Sequence, residues 1–394
     1  MIRGGGGRFE TPTQARIEAE GMMLTMLLKK RAAVVALTVL ALGGLTGWTS
    51  QEQKQDKDEP IRLRSDLVSL NASVVDGRGH AIEQLEARDF EVYEDGIKQA
   101  IANFSAASEP FTLMLLIDVS GSTAKEVDLM KDAARSFLEQ VGPDDRIGVI
   151  VFSNEVVEIA EITDSREKVL EEIEGISGSG GAAGHRFSQN TGTSFYDALY
   201  LAVNESSLKQ AKGRKAIVLM SDGVDSTSRM RFAEVARAVE GSKATVFVLN
   251  LDTEKANLQA VLKPRSDPGY ANFSQSQVDR YFDKYDRGSS ERYLPRDLLR
   301  EDLRRRINRG LYEIARTQLT DLADKTGGQI YPVRTVWDLA GVYRQIAADL
   351  RTLYSIGYYS TNDAKDGKWR SIRLVVNREG AKARTRPGYW GSTQ

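Results

Sequence analysis

The apolar pattern of this chain is densest over residues 111–118, FTLMLLID, where branched side chains run with one hydroxyl among them and stop at Asp118. An unbroken run of this length fits a strand covered on both faces, in the middle of a parallel sheet. Comparable runs recur at 146–153 (RIGVIVFS), 215–222 (KAIVLMSD) and 244–252 (ATVFVLNLD). Between them the spacing changes to that of a helix. In AKEVDLMKDAARSFLEQV the residues Val127, Met130, Ala134, Phe137, Leu138 and Val141 share one face. REKVLEEIEGI, SFYDALYLAVNESSL and RFAEVARAVEG are predicted as further helices, and VVEIAEIT as a hairpin partner of 146–153. Strands separated by helices imply right-handed crossovers and a doubly wound, mainly parallel α/β sheet covered on both faces.

The flanks have a different period. Val68, Leu70, Ala72 and Val74 alternate with polar residues, DGRG at 76–79 is a turn, and DFEVYEDGIKQAIANF folds back at Glu94–Asp95–Gly96. At the other end YSIGYYS, RSIRLVVN and ARTRPGYW alternate in the same way, with Pro387 suited only to an edge or a strand end. Neither flank has enough strands for a core of its own. Residues 62–107 and 354–390 are therefore expected to form one small antiparallel β domain of about six strands. The α/β domain, 108–352, is expected to be inserted between them. Residues 253–310 break the α/β rhythm as a charged insertion in which Leu298, Leu299, Leu303 and Ile307 mark a narrow amphipathic face. Acidic residues interleave its arginines, so it reads as a solvated helical face and not as a nucleic-acid surface. After it, LYEIARTQLTDLADKTGG is predicted as a helix, QIYPV as a short strand and TVWDLAGVYRQIAADLRTLY as a long helix.

Ahead of all this lies a Gly-rich polar stretch, 1–21, then the basic MMLTMLLKKR and the apolar AAVVALTVLALGGLTGW, 32–48. A basic segment followed by an apolar one reads as a secretory signal or an uncleaved membrane anchor, and the Thr and Gly in its second half favour cleavage. Met22, Met23 and Met26 are alternative starts. SQEQKQDKDEP closes the segment as a polar linker, so 1–60 is expected to stand outside the folded domains. The implied location is outside the cytoplasm: periplasmic, extracellular or anchored to the envelope.

Composition narrows the chemistry. The net charge of −1 gives no pull toward nucleic acid or anionic lipid. With no Cys there is no disulfide, thiolate metal site, cysteine nucleophile or lipoprotein anchor. The only two His are His80 and His185. Hard oxygen ligation is the metal chemistry that remains.

The oxygens for it stand at strand ends. Asp118, Ser120 and Ser122 lie at alternate positions after the first buried strand, Asp222 closes another, and Thr193 precedes a helix in a Gly-rich loop. In a doubly wound sheet these ends open on one edge, so the five can converge. Two carboxylates supply charge for a divalent ion, and hydroxyls fill positions without adding repulsion. Mg²⁺ retains water, leaving room for an outside carboxylate. Taken one by one, the two Asp also suit caps or turns, the two Ser can bond the turn backbone and Thr193 can sit near a helix cap. Asp197 and Asp225 read as solvent-facing or supporting groups, and Asp144 and Asp145 lie at the opposite edge.

DVSGS, TGT and SDG, in this order and spacing, resemble the metal-ion-dependent adhesion site of von Willebrand factor type A (VWA) domains. The resemblance covers roughly 110–350, interrupted by the insertion. It implies metal ligation by Asp118, Ser120, Ser122, Thr193 and Asp222, and protein binding in place of catalysis. The flanking DFEVYEDGIKQAIANF, LADKTGG, LRTLYSIGYY and RPGYW resemble a bacterial subgroup of exported von Willebrand-related proteins. The expected function is an exported adhesion or assembly module, not an enzyme, whose Mg²⁺ (or Mn²⁺) takes a carboxylate of a partner protein. The alternatives are a metal-dependent hydrolase, for which no further acid or base motif is visible, and a structural envelope protein with a vestigial site.

Overall fold

The computed structural model describes residues 67–393 except 79, 106–109, 122, 124–126, 177–180, 183–184, 187–191, 268–269 and 335–337. The apolar segment 32–48 lies outside them. Among the described residues no helix is long and apolar enough to cross a membrane. The described part belongs to one compact unit, Leu63–Gln394.

Its strands are β1 (Leu67–Val75), β2 (Phe90–Glu94), β3 (Ile97–Gln99), β4 (Ile101–Ser105), β5 (Phe111–Asp118), β6 (Arg146–Phe152), β7 (Val156–Thr163), β8 (Gly181–Ala182), β9 (His185–Arg186), β10 (Arg214–Ser221), β11 (Thr245–Leu251), β12 (Gln329–Val333), β13 (Leu353–Tyr359), β14 (Trp369–Val376), β15 (Lys382–Thr385) and β16 (Gly388–Trp390). The α-helices are α1 (Val127–Leu138), α2 (Arg166–Glu174), α3 (Phe195–Asn204), α4 (Ser207–Gln210), α5 (Phe232–Ser242), α6 (Glu254–Leu262), α7 (Gln275–Tyr285), α8 (Glu301–Thr326) and α9 (Leu339–Arg351).

The central sheet has the order β12-β11-β10-β5-β6-β7. All neighbours in it are parallel except β7, which runs antiparallel to β6. Every residue of β5 is buried. Leu113, Leu115 and Ile117 face one layer, with Val127, Met130 and Phe137 of α1 and Tyr343 and Ile346 of α9. Met114 and Leu116 face the other, with Phe195 and Leu199 of α3, Val235 of α5 and Leu319 of α8. Alternation of side chains across a strand turns one apolar run into two cores. This is the doubly wound α/β fold expected from the pattern.

The flanking strands form two four-stranded antiparallel sheets, β15-β1-β13-β4 and β16-β14-β2-β3. Each combines strands from both ends of the chain: β1 pairs with β13 from Leu67↔Tyr359 to Ser73↔Leu353, and β2 with β14 from Phe90↔Val376 to Glu94↔Ile372. Leu70, Val74, Phe90, Val92, Tyr354, Ile356 and Tyr358 fill the space between them. The strand count exceeds expectation because two apparent strands are each divided. The run after Gly96 passes from β3 in one sheet to β4 in the other. ARTRPGYW breaks before Pro387, which has no N–H for a sheet, and β15 and β16 join different sheets.

A buried acid ties the two flanks. Glu94 is 2% exposed. Its carboxylate accepts the hydroxyls of Tyr358 at 2.8 Å, Tyr389 at 2.9 Å and Ser360.

The charged insertion is also folded. Phe273, Val278, Tyr281, Phe282, Leu299, Leu303, Ile307 and Leu311 form a further apolar cluster, joined by Val224. Two details differ from the sequence reading. Leu298 is exposed in a short 3₁₀ turn, off the buried face. The arginine-rich stretch does not end at 310 but continues unbroken into the following helix, making the 26-residue α8. The arginines are laced to acids, as in Arg292 with Asp279 and Asp283, and Arg305 with Glu301.

We propose 62–107 plus 354–390, and 108–352, as the two domain units. A 108–352 fragment is expected to be soluble and to unfold cooperatively, whereas 62–107 alone should show no protected amides; protection in the short piece would overturn the division. In the whole chain, Glu94→Ala strands three hydroxyls and is expected to lower the urea unfolding free energy by about 3 kcal/mol, and Glu94→Gln by less.

Candidate metal centre

Parallel strands β5 and β10 end side by side, because Ile117 is paired with Met220. The next residues on each strand, Asp118 and Ser221, meet directly: the Ser221 hydroxyl donates to Asp118 Oδ2 at 2.6 Å. Asp118 Oδ1 accepts the backbone N–H of Ser120 at 3.0 Å, fixing the turn that follows β5. Thr123 closes the same turn, its hydroxyl donating to the Asp118 carbonyl at 2.7 Å. Asp222 follows Ser221, and its Oδ1 accepts the N–H of Val224 at 2.9 Å. Asp118 and Asp222 are 0% and 2% exposed.

Two carboxylates so placed repel each other in a medium that screens poorly. Burial, and after it the charge of Asp222, push Asp118 from the ordinary 3.8 up to about 7, against hydrogen bonds from Ser120 and Ser221 that pull it down.

Thr193 stands two residues before α3 and is buried. Its N–H donates to Ser226 Oγ at 2.7 Å, and its carbonyl accepts the N–H of Ser226 at 2.9 Å. The Thr193 loop is thus bonded to the loop that follows Asp222. Close approach of the two loops needs glycine: Gly192 has φ +114°, and a Cβ there would run into Thr227. Gly223, at φ +73°, would bring a Cβ within 2.7 Å of Leu319.

Of the five residues singled out in the sequence, Asp118, Ser120 and Asp222 lie on two adjoining turns, and Thr193 on a loop bonded to the second. Ser122 lies outside the described residues. Among those described, no group of three or more acidic or imidazole side chains gathers anywhere that could hold a metal. The donor set here is two carboxylates and hydroxyls, all hard oxygens, and the repulsion between the carboxylates is what a small divalent cation relieves. The residues fit such an ion.

Residues 113–224 match the family model of the von Willebrand factor type A domain. The chain carries a VWA domain. Members of this family are often metal-dependent modules for protein interaction, and in general they bind and do not catalyse. No curated protein matches the chain. Among solved structures it is similar to proximal thread matrix protein 1 from the mussel byssus, at 15% identity, covering 61% of this chain and 47% of that one, with a TM-score of 0.37. The chain thus spans about half the length of the mussel protein, one structure of which has zinc in its metal-site motif. It is also similar to an aerotolerance-related membrane protein from Bacteroides fragilis NCTC 9343, at 17% identity, covering 61% and 98% of the two chains, with a TM-score of 0.37. A von Willebrand factor type A protein from Catenulispora acidiphila gives 13%, covering 83% and 74%, with a TM-score of 0.39.

Several residues around the VWA edge escaped the sequence reading. Ser221 lies within the SDG-bearing strand and went unremarked. Thr253 and Tyr312 are buried beside Asp222, whose Oδ2 accepts the Thr253 hydroxyl. Burial, and then the Asp222 charge, hold the Tyr312 phenol well above its usual range. Asp225, read as a supporting group, is buried and paired with Arg280 of α7 at 2.8 Å, its carboxyl raised by burial against the pull of the guanidinium. Asp197 accepts the N–H groups of Arg229 and Met230 and so secures the loop that follows Asp222. At the far edge Asp145 caps the start of β5, accepting the N–H of Phe111 at 3.0 Å.

Asp118 binds its proton more tightly when folded than when unfolded. That contribution to stability is fully present below the ordinary value near 3.8 and is lost as pH rises through about 7. Chemical denaturation of metal-free protein should therefore show stability falling across this window. Asp118→Asn, neutral throughout, should flatten the fall; an equal slope in the variant would contradict the assignment.

Proposed function

We propose that this protein is an exported binding module in which Mg²⁺ (or Mn²⁺), held by Asp118, Ser120, Ser122, Thr193 and Asp222, takes an acidic group of a partner protein. The observation that carries the reading is the pair of buried carboxylates, Asp118 and Asp222, at the ends of adjoining strands, each with a hydroxyl donating to it. Such a pair is costly without a cation. The ion would offset the charge of the two carboxylates, and Mg²⁺ keeps exchangeable water that a hard anionic ligand can replace. The side chains hold the ion and orient it; Ser221 and the turn N–H groups keep the two carboxylates from swinging away. Export is supported by the basic 22–31 followed by the apolar 32–48, a segment that serves as a signal or as a membrane anchor.

Isothermal titration of the folded protein with Mg²⁺ is expected to show binding that vanishes in Asp118→Ala, and pull-down from envelope extracts to recover a partner only without chelator. Absence of Mg²⁺ binding by the wild type would remove the reading, and capture that ignores EDTA would favour a structural role with a vestigial site.

A further inference from the structure

Asp222 is held by residues from outside the segment that matches the VWA family. Thr253 follows β11, the strand beside β10, and Tyr312 lies on α8, beyond the insertion. The Thr253 hydroxyl donates to Asp222 Oδ2; the Tyr312 hydroxyl lies 2.8 Å from Thr253 Oγ1 and 3.5 Å from Asp222 Oδ2. All three side chains are buried. The direction of these bonds follows from the groups themselves. An ionised carboxylate only accepts, so the single proton of Thr253 goes to Asp222. Thr253 Oγ1 must then accept from Tyr312. Both hydroxyl dipoles point toward the carboxylate.

We propose that Thr253 and Tyr312 are positioning residues for the metal, a two-hydroxyl relay that fixes the orientation of the Asp222 carboxylate without neutralising it. The inference rests on the metal reading above. A Lys or Arg in the same place would also hold the carboxylate, but its charge would compete with the cation. Neutral donors hold the group and add no charge of their own. Outer hydrogen bonds of this kind orient a ligand and tune its affinity.

The relay also ties the site to the insertion. Tyr312 belongs to the same apolar cluster as Val278, Phe282, Leu303 and Ile307, and Val224 of the metal loop packs into that cluster. Two further links run from α7 to the loop after Asp222: Arg280 to Asp225, and the Ser276 hydroxyl to the Ser226 carbonyl at 2.7 Å. Ser226 in turn holds the N–H of Thr193. The insertion thus braces the second and third site loops together.

The test is Mg²⁺ titration calorimetry on the full chain, comparing wild type with Thr253→Val, Thr253→Ser and Tyr312→Phe, alongside melting of each protein in EDTA. Thr253→Val and Tyr312→Phe are expected to weaken Mg²⁺ binding about ten-fold or more, and Thr253→Ser, which keeps the donor, to bind as wild type does. A role in packing alone would lower the melting temperature in EDTA and leave the Mg²⁺ dissociation constant unchanged; that result, with the wild type binding, overturns this inference by itself. A wild type that binds no Mg²⁺ overturns the metal reading and the relay's role together. Tyr312→Phe keeps the ring and its packing, so it reports even if Thr253→Val fails to fold.

Discussion

Two carboxyl groups buried at the ends of neighbouring strands are the constraint on which the rest of this structure depends. Asp118 and Asp222 are brought close by the parallel register of β5 and β10, and neither can turn away, because each has one oxygen fixed by a turn N–H and the other by a hydroxyl. A fold assembled for stability alone would place apolar or neutral groups there. The loops around the pair are correspondingly specialised: Gly192 at positive φ where the Thr193 loop meets the loop after Asp222, a hydroxyl donating to each carboxylate, and a buried Asp225 paired with Arg280.

The helical insertion changes how the VWA edge should be understood. Its arginines suggest a free, solvated appendage, yet its apolar residues close over a cluster that includes Val224 of the turn after β10. Charge lies on its surface as local pairs, while its interior couples to the site through Tyr312 and Arg280. The site is accordingly wider than the family motif, reaching into a part of the chain that the family match at 113–224 does not include.

Much of this was legible in the sequence. The central strands were, because a continuous apolar run has few other uses, and the six-stranded sheet follows the alternation of strand and helix. Asp118 and Asp222 were legible because the topology sends every parallel strand end to one edge. Thr253 carried a weak signal, standing just past a buried strand at that same edge. Tyr312 carried none, since the insertion separates it by 59 residues from Thr253 and by 90 from Asp222. The division of the flanking strands was hidden for a similar reason. Ile97–Ser105 and ARTRPGYW each read as one alternating run, and only pairing with distant partners decides which half joins which sheet.

That pairing has a consequence for how the chain comes to be made. Leu67 finds its sheet partner in Tyr359, which is synthesised 292 positions later (359 − 67). Until the final segment arrives, β1 and β2 have bare edges of the sort that invites wrong partners, and contacts this distant in sequence close slowly. The central sheet has no such delay, since its strands are complete once β12 is made. The two flanking sheets therefore close only when the last residues of the chain return to meet the first.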